Sequence, residues 1–282
     1  MAASLFTERL SAAMDVSGSL ICVGLDPQPQ RTAPEEILDF NIRVIEATAG
    51  LVCAYKPQSA FYEVAGDIGW QALKETIAAV RRISPDAIVI LDAKRNDIGN
   101  TAEAYATSAF DWFDADALTI NPYLGGDAVA PFLQRPDRGA FALCRTSNPG
   151  AAELQSLPVV NNEPLYLTVA ERARDWGEAH HRNLGLVVGA TWPEELRRVR
   201  SLCPEMPILL PGIGAQGGDL EASVAAGVDA DGRGLLVSAS RSVIYAGEAE
   251  EIRAEASRLR AAANTAKLHA AANAAKPHRE AL

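Results

Sequence analysis

Histidine is scarce in this chain, which limits the acid–base and metal-binding roles that histidine usually has. Among 282 residues there are four histidines: His180, His181, His269 and His278. None of them follows a segment that we predict to be a strand, and no two have H-x-x-x-H spacing. The sequence therefore disfavours the usual imidazole general base and a zinc site of this type.

Cysteine is also rare, and its positions do not suggest a disulfide framework. The four cysteines show no C-x-x-C spacing, and three of them lie in apolar, strand-like runs: Cys22, Cys53, Cys144 and Cys203 make up the whole set. This usage is typical of reduced core residues, so we predict a cytoplasmic protein.

The chain also has no net positive charge and no long apolar run. Lysine and arginine number 26 against 36 aspartates and glutamates, a net charge of −10. No general basic field exists to hold nucleic acid or an anionic membrane, so an anionic substrate needs a local cationic site. The first ten residues include Glu8 and Arg9 and form no apolar signal region, and no run approaches the ~18 apolar residues of a membrane span. We expect neither nucleic acid nor membrane as a partner.

Short apolar runs alternate with longer segments of helical pattern. Continuous hydrophobicity is typical of strands covered on both faces, and the helical segments, such as residues 70–82 and 193–202, supply the connections of βαβ units. The predicted strands cover residues 20–25, 51–55, 87–91, 115–120, 140–144, 184–188, 207–210 and 234–238.

Eight such units in one chain predict a single (β/α)8 TIM barrel, in the α/β class, over residues 1–282. An open doubly wound sheet is the alternative, which periodicity alone does not exclude. A helix over residues 6–14 is predicted before the first strand. From Glu248 the composition is rich in Ala, Glu, Arg and Lys, which favours a final helix, and residues 270–282 are expected to form a frayed or disordered tail.

Polar residues recur where the predicted strands end. The carboxyl ends of the strands are the face on which barrel enzymes carry their chemistry, so one shared site explains these residues better than separate surface charges do. In strand order they are Asp26, Lys56, Asp92 with Lys94, Asn121, Ser147, Gln216 and Arg241.

The glycine-rich run 212–217 matches the pattern G-x-G-x-x-G. A dinucleotide site would need this pattern after the first strand, with an acidic residue ending the next strand, and neither condition is met. Glycines such as Gly214 instead leave backbone N–H groups free to approach a phosphate, and barrels commonly bind phosphate after strands seven and eight. Arg241, just past the eighth strand, can add a charge-assisted contact. The alternative is a tight turn beside an exposed arginine.

The segment Asp92-Ala93-Lys94-Arg95-Asn96-Asp97 follows the third predicted strand. Side chains alternate along a strand, so those of Asp92 and Lys94 point the same way, and opposite charges converge at one strand end. A solvated strand end is the plain alternative. However, Ile98 and Thr101 complete a D-x-K-x-x-D-I-x-x-T pattern that resembles the signature of the orotidine 5'-phosphate decarboxylase family, which makes UMP from OMP.

The resemblance extends from Asp26 to Tyr245, and residues 144–150, Cys-Arg-Thr-Ser-Asn-Pro-Gly, are similar to the longer bacterial branch of the family. It implies that Asp26 and Thr101 hold the ribose hydroxyls and that Ser147 contacts the pyrimidine. It also implies that Gln216 and Arg241 bind the phosphate. Residues 148–182 and the Ala-rich tail exceed the compact family pattern.

The same resemblance implies a catalytic tetrad of alternating charge, formed by Lys56, Asp92, Lys94 and Asp97, that works without metal or organic cofactor. Lys94 would stabilise the carbanion at C6 of the pyrimidine and then protonate it, and Asp92 would orient Lys94. Asp97 and Thr101 would come from the partner subunit of a homodimer. The alternative for Asp97 is a local role in its own loop.

Two other functions stay open at this point. Magnesium-dependent sugar-phosphate lyases that resemble this family keep the D-x-K-x-x-D pattern, but they carry an acid where the second strand ends, a position that is Lys56 here. A catalytically silent protein that binds nucleotide phosphates on the same barrel is the other, and the intact Asp92 and Lys94 pair disfavours it.

Overall fold

The computed structural model describes residues 4–213 and 219–274 of the chain. Its eight strands are parallel and close into a barrel in the order β1 to β8, which confirms the predicted fold and excludes the open sheet. Closure is made by β1 and β8, where Ile21 pairs with Val237. The strands are β1 Ile21–Leu25, β2 Ala54–Pro57, β3 Ile88–Arg95, β4 Ala117–Ile120, β5 Gly139–Arg145, β6 Leu184–Val188, β7 Ile208–Pro211 and β8 Leu235–Ala239.

Apart from the carboxyl end of β3, the strands are largely buried on both faces, because inner side chains fill the barrel and outer ones pack under the helices. Within the described ranges, no helix is long and apolar enough to cross a membrane. The helices are α1 Phe6–Ser17, α2 Ile37–Thr48, α3 Ala60–Glu63, α4 Gly66–Ile83, α5 Gly99–Thr107, α6 Gly126–Val129, α7 Ala151–Gln155, α8 Leu165–Glu178, α9 Pro193–Leu202, α10 Leu220–Gly227, α11 Arg241–Ile244 and α12 Ala249–Ala274.

The helices predicted from periodicity agree with this order. The segment 193–202 coincides with α9, and 70–82 lies inside α4, which begins four residues earlier at Gly66. The helix predicted over residues 6–14 is α1, and the Ala-rich helix is α12. Because α12 continues to Ala274, it includes the start of the segment that was expected to fray. The remainder of that segment lies outside the described residues.

Helix α1 covers the amino end of the barrel. The Phe6 ring meets the Phe141 ring edge to face, with centroids 6.2 Å apart. Gly139 allows this approach, because a Cβ atom there would lie 2.3 Å from the Phe6 ring. The side of the barrel opposite the predicted site is therefore sealed by packing.

A buried carboxylate ties this end together. Asp116 precedes β4 and has no exposed surface. Its carboxylate accepts hydrogen bonds from Arg9 of α1, from Arg81 of α4 at 2.7 Å and from the Val89 amide at 2.7 Å. Arg138 approaches to 3.6 Å. These contacts serve the stability of the barrel, since they lie away from the carboxyl ends of the strands.

Candidate active site

The charged residues at the ends of β2 and β3 form a continuous array. Lys56 Nζ donates a hydrogen bond to Asp92 Oδ2 at 2.7 Å, and Lys94 Nζ donates to Asp92 Oδ1, also at 2.7 Å. Lys56 and Asp92 are buried, whereas 44% of the Lys94 side chain is exposed. One carboxylate therefore lies between two ammonium groups, and only the second ammonium group faces open space.

Burial and charge act in opposite directions on this array. Burial alone would raise the pKa of Asp92, but the nearby charges of Lys56 and Lys94 outweigh it, so that pKa lies well below its usual range. Burial alone would likewise lower the pKa of Lys56, but the charges of Asp92 and Asp26 raise it above its usual value. The Lys56 and Asp92 pair is therefore ionised at neutral pH.

The backbone at Lys94 departs from regular strand geometry. Strand β3 runs to Arg95, beyond the segment 87–91 predicted from hydrophobicity. Leu91 pairs with Leu118, and Arg95 pairs with Ile120. The chain therefore advances four residues along β3 but only two along β4 between these pairs, which makes a β-bulge in β3. Lys94 has a left-handed φ of 47°. The bulge, rather than simple alternation, brings the Lys94 ammonium group to Asp92.

Asp26 lies just after β1, as predicted, and its carboxylate is fixed by two neighbours. Oδ1 accepts a hydrogen bond from the Gln58 amide at 3.1 Å, and Oδ2 accepts one from Ser240 Oγ at 2.6 Å. The loops after β1, β2 and β8 are thereby joined. The joined loops hold the Asp26 carboxylate at the carboxyl end of the barrel.

A cleft of about 350 Å³ opens beside these residues. Asp26, Lys56 and Arg241 all line it, although they come from three different strand ends. Gly212, which follows β7, lines it too and has a φ of 106°, a conformation that favours glycine. The cleft therefore combines a carboxylate, a buried lysine and an exposed guanidinium group, which suits an anionic ligand that also carries hydroxyl groups.

Ser147 follows β5 and packs against the loop after β6. A Cβ atom at Gly189 would lie 2.8 Å from Ser147 Cβ, so only glycine permits this approach. The preceding residue is anchored by α7, because Gln155 Oε1 accepts a hydrogen bond from the Thr146 amide at 2.8 Å and Gln155 Nε2 donates to Thr146 Oγ1 at 2.8 Å. Part of the extra segment 148–182 thus supports the Ser147 loop.

Asp97 and Thr101 lie apart from the array. Asp97 Oδ1 accepts a hydrogen bond from the Ile98 amide at 2.8 Å, and Thr101 lies exposed in the first turn of α5. Across residues 4–213 and 219–274, no hydrogen bond or ion pair joins either side chain to Asp92 or Lys94. Their predicted role depends on a second subunit and stays a prediction.

The other two predicted ligands of the phosphate, Gly214 and Gln216, fall within 214–218 and lie outside the described residues. Of the predicted site residues, the structure brings together Asp26, Lys56, Asp92, Lys94 and Arg241.

Two residues near the array were not predicted. Ser240 binds Asp26, and Thr119 of β4 donates a hydrogen bond from Oγ1 to Asp92 Oδ1 at 2.8 Å. The only sequence signal for Thr119 is a hydroxyl group inside an otherwise apolar run. A signal of this kind is weak, because threonine is common in strands.

Known proteins that resemble this chain point to one family. A family model described as "Orotidine 5'-phosphate decarboxylase / HUMPS family" matches residues 19–256. A Thermomicrobium roseum protein named orotidine 5'-phosphate decarboxylase is 52% identical over 267 residues, 90% of this chain and 93% of that protein. A Roseiflexus protein of the same name is 48% identical over 272 residues, 93% of this chain and 98% of its own.

A solved structure is also similar. The Leishmania donovani OMP decarboxylase structure superposes with a TM-score of 0.85 at 42% identity, covering 94% of this chain and 99% of that one. The family match spans most of the barrel, and it includes the strand ends that carry the Lys56, Asp92 and Lys94 array. The chain belongs to the orotidine 5'-phosphate decarboxylase/HUMPS family.

Proposed function

We propose that this protein decarboxylates OMP to UMP, a step of pyrimidine biosynthesis, without metal or organic cofactor. The observation that carries the proposal is the array of Lys56, Asp92 and Lys94, with hydrogen bonds of 2.7 Å on both sides of one carboxylate. Its exposed ammonium group is suited to a reaction in which negative charge develops on carbon. The proteins named orotidine 5'-phosphate decarboxylase that resemble this chain support the same activity.

The reaction breaks the bond between C6 of the pyrimidine and its carboxylate. The electron pair stays on C6, carbon dioxide leaves, and a proton from Lys94 Nζ forms the C6–H bond of UMP. Lys94 then recovers a proton from solvent, which its 44% exposed side chain reaches. Asp92, buried and bound to both lysines, directs the Lys94 ammonium group and does not itself exchange a proton.

Electrostatic stabilisation must supply most of the catalysis, because the C6 carbanion has little resonance relief. Two unit charges ~4 Å apart attract by ~4 kcal/mol at an effective dielectric constant of ~20. Enzymes lower barriers by ~8 to 23 kcal/mol, so a single lysine is insufficient. Binding of the remote phosphate and ribose must therefore contribute, by holding the substrate where the charges act.

The cleft is suited to that remote binding. Arg241 and Gly212, which follows β7, bind the phosphate, and Asp26, held by Ser240, binds a ribose hydroxyl. Ser147 contacts the pyrimidine. Gly214 and Gln216 complete the phosphate contacts, as the family resemblance implies.

The magnesium-dependent lyase is disfavoured by Lys56. Its ammonium group lies 2.7 Å from Asp92 Oδ2, so a cation already occupies the place where such a lyase carries an acid. A divalent cation at Asp92 would meet both this charge and that of Lys94. The silent binding protein is disfavoured by the Asp92 and Lys94 pair, which a protein that only binds phosphate does not need.

We infer further that two copies of the chain form a homodimer with shared sites. Three large apolar residues are exposed around Asp97 and Thr101: Ile98 at 61%, Tyr123 at 79% and Leu124 at 49%. Asn96 donates a side-chain hydrogen bond to the Asn121 carbonyl, so the two loops that carry these residues are neighbours. An apolar cluster beside two polar side chains that lie apart from the array suits a two-fold interface, in which each copy donates Asp97 and Thr101 to the other.

Two expectations from the sequence stay predictions. One is that residues 1–282 form a single domain. The other is a cytoplasmic location, which is consistent with the four cysteines of the described residues, all free and buried.

The function is tested by adding OMP to protein that has been treated with EDTA. We expect the ultraviolet absorbance to change from that of OMP to that of UMP at the same rate with and without chelation. The matched control is Lys94→Ala protein from the same preparation, which should leave OMP unchanged. Loss of turnover on chelation, followed by recovery with magnesium, would show that the cofactor-free reaction is wrong.

The phosphate site is tested by Arg241→Ala. We expect KM for OMP to rise by roughly 10- to 100-fold with a smaller change in kcat, because one charge-assisted hydrogen bond contributes ~1.5 to 3 kcal/mol. The control is Arg258→Ala, which removes an exposed arginine of α12 that pairs with Glu255. Unchanged kinetic constants in Arg241→Ala would remove Arg241 from the phosphate site.

A further inference from the structure

Thr119 carries the one side-chain hydroxyl group of β4, and it contacts the charged array at Asp92 and Lys94. The residue is 1% exposed, and its neighbours Leu118 and Ile120 are apolar. A buried hydroxyl group destabilises a core unless it is hydrogen-bonded. The Thr119 hydroxyl group acts both as a donor and as an acceptor. Oγ1 donates a hydrogen bond to Asp92 Oδ1 at 2.8 Å and accepts one from the Lys94 amide at 3.0 Å.

The first hydrogen bond fixes the Asp92 carboxylate. A carboxylate rotates easily about its last side-chain bond, so its two oxygens do not hold their directions unaided. Lys94 Nζ also binds Oδ1, while Lys56 binds Oδ2. The Thr119 hydroxyl group, mounted on a buried strand, holds Oδ1 toward Lys94 and leaves Oδ2 for Lys56.

The second hydrogen bond fixes the backbone at Lys94. The bulge between Leu91 and Arg95 interrupts the pairing of β3 with β4, and Lys94 adopts its left-handed conformation there. A non-glycine residue keeps such a conformation only where its surroundings hold it. The Thr119 side chain supplies the acceptor for the Lys94 amide in place of a backbone carbonyl.

We infer that Thr119 is a positioning residue, whose hydroxyl group holds Asp92 and Lys94 in the arrangement that the reaction needs. The inference rests on the proposed decarboxylation. Thr119 acts through Asp92 and Lys94 and does not touch the substrate. A role of this kind affects the chemical step more than the binding of nucleotide.

The test compares Thr119→Val with Thr119→Ser. Valine keeps the shape of threonine and removes both hydrogen bonds, whereas serine keeps the hydroxyl group. We expect Thr119→Val to lower kcat for OMP by roughly 10- to 100-fold, the effect of a lost hydrogen bond to a charged group, with the Kd for UMP changed by less than about 3-fold. Thr119→Ser should restore most of kcat.

Thr48→Val is the matched control, because Thr48 is also buried and hydrogen-bonded, to the Val44 carbonyl and the Tyr55 hydroxyl group, but it lies in α2. We expect it to leave kcat unchanged. Amide hydrogen exchange at Lys94, measured by NMR, gives a second result that does not depend on activity. Exchange should accelerate by at least about tenfold in Thr119→Val and stay near the wild-type rate in the other two variants.

The outcomes separate this inference from the proposed function. Unchanged exchange at Lys94 in Thr119→Val would overturn the inference, whatever the activity. Faster exchange at Lys94 in Thr119→Val with an unchanged kcat would overturn the inference as well. In that case, an inactive Lys94→Ala variant would still support the decarboxylase assignment. A wild-type protein that does not turn over OMP would instead refute the function.

Discussion

Replacing Lys94 by alanine is expected to abolish turnover of OMP while the protein still folds and binds UMP. In the proposed reaction, Lys94 supplies both the positive charge near C6 and the proton that C6 receives. Loss of a general acid alone lowers rates by ~10² to 10⁴, and loss of one electrostatic donor by ~10² to 10³. We therefore expect kcat to fall by at least about 10³-fold.

Nucleotide binding should survive because the proposed contacts to phosphate and ribose lie at Arg241 and Asp26. The fold should survive too, since Asp92 keeps its bond of 2.7 Å to Lys56 and is not left as an unpaired buried charge. The side chain of Lys94 is also more exposed than those of Lys56 and Asp92.

Steady-state kinetics with OMP and titration calorimetry with UMP measure the two effects separately. Lys74→Ala is the matched control, because it removes a lysine of α4 whose ammonium group lies over the Trp112 ring, outside the array. A Lys94→Ala protein that kept kcat within tenfold of the wild type would show that Lys94 is not the proton donor.

Mixing two inactive variants is expected to restore activity. If each site combines Lys94 of one subunit with Asp97 of the other, Lys94→Ala and Asp97→Ala homodimers are each nearly inactive. A mixed dimer then has one site that carries both substitutions and one that carries neither. After random exchange about half of the dimers are mixed, so roughly a quarter of all sites are intact.

Subunit exchange must be shown independently, for example by mass spectrometry of differently tagged chains. The control mixture pairs Lys94→Ala with Lys56→Ala, two substitutions whose side chains bind the same Asp92 within one chain. That mixture should gain little, because every site built on either chain lacks one lysine. If exchange occurs and the first mixture also stays inactive, Asp97 acts within its own chain.

The sequence was sufficient to predict the barrel because each strand is a short apolar run between helical segments. The observed strand limits differ from the predicted ones where the apolar run and the hydrogen-bonded segment do not coincide. The run 51–55 is apolar from its start, yet β2 covers Ala54–Pro57, since the polar residue Lys56 pairs with Gly24 in the barrel. Apolar composition locates a strand, but pairing decides where it begins and ends.

The site was predictable where it depends on strand ends. Asp26, Lys56 and Arg241 are far apart in the sequence, yet they line one cleft because the carboxyl ends of parallel strands meet there. The contacts of Thr119 were not predictable, since they depend on a bulge in β3 that no residue pattern indicates. The proposed contribution of Asp97 depends on a second copy of the chain, which one sequence does not display.

The contacts of α1 imply an order of events while the chain is being synthesised. Arg9 binds Asp116 and the Asp137 carbonyl, partners that lie 107 and 128 residues further along the sequence. These partners leave the ribosome long after the helix does, so the contacts that hold Arg9 cannot form until then. Helix α1 therefore reaches its final position only after residue 137 has been made, and its docking belongs to a late stage in the assembly of the barrel.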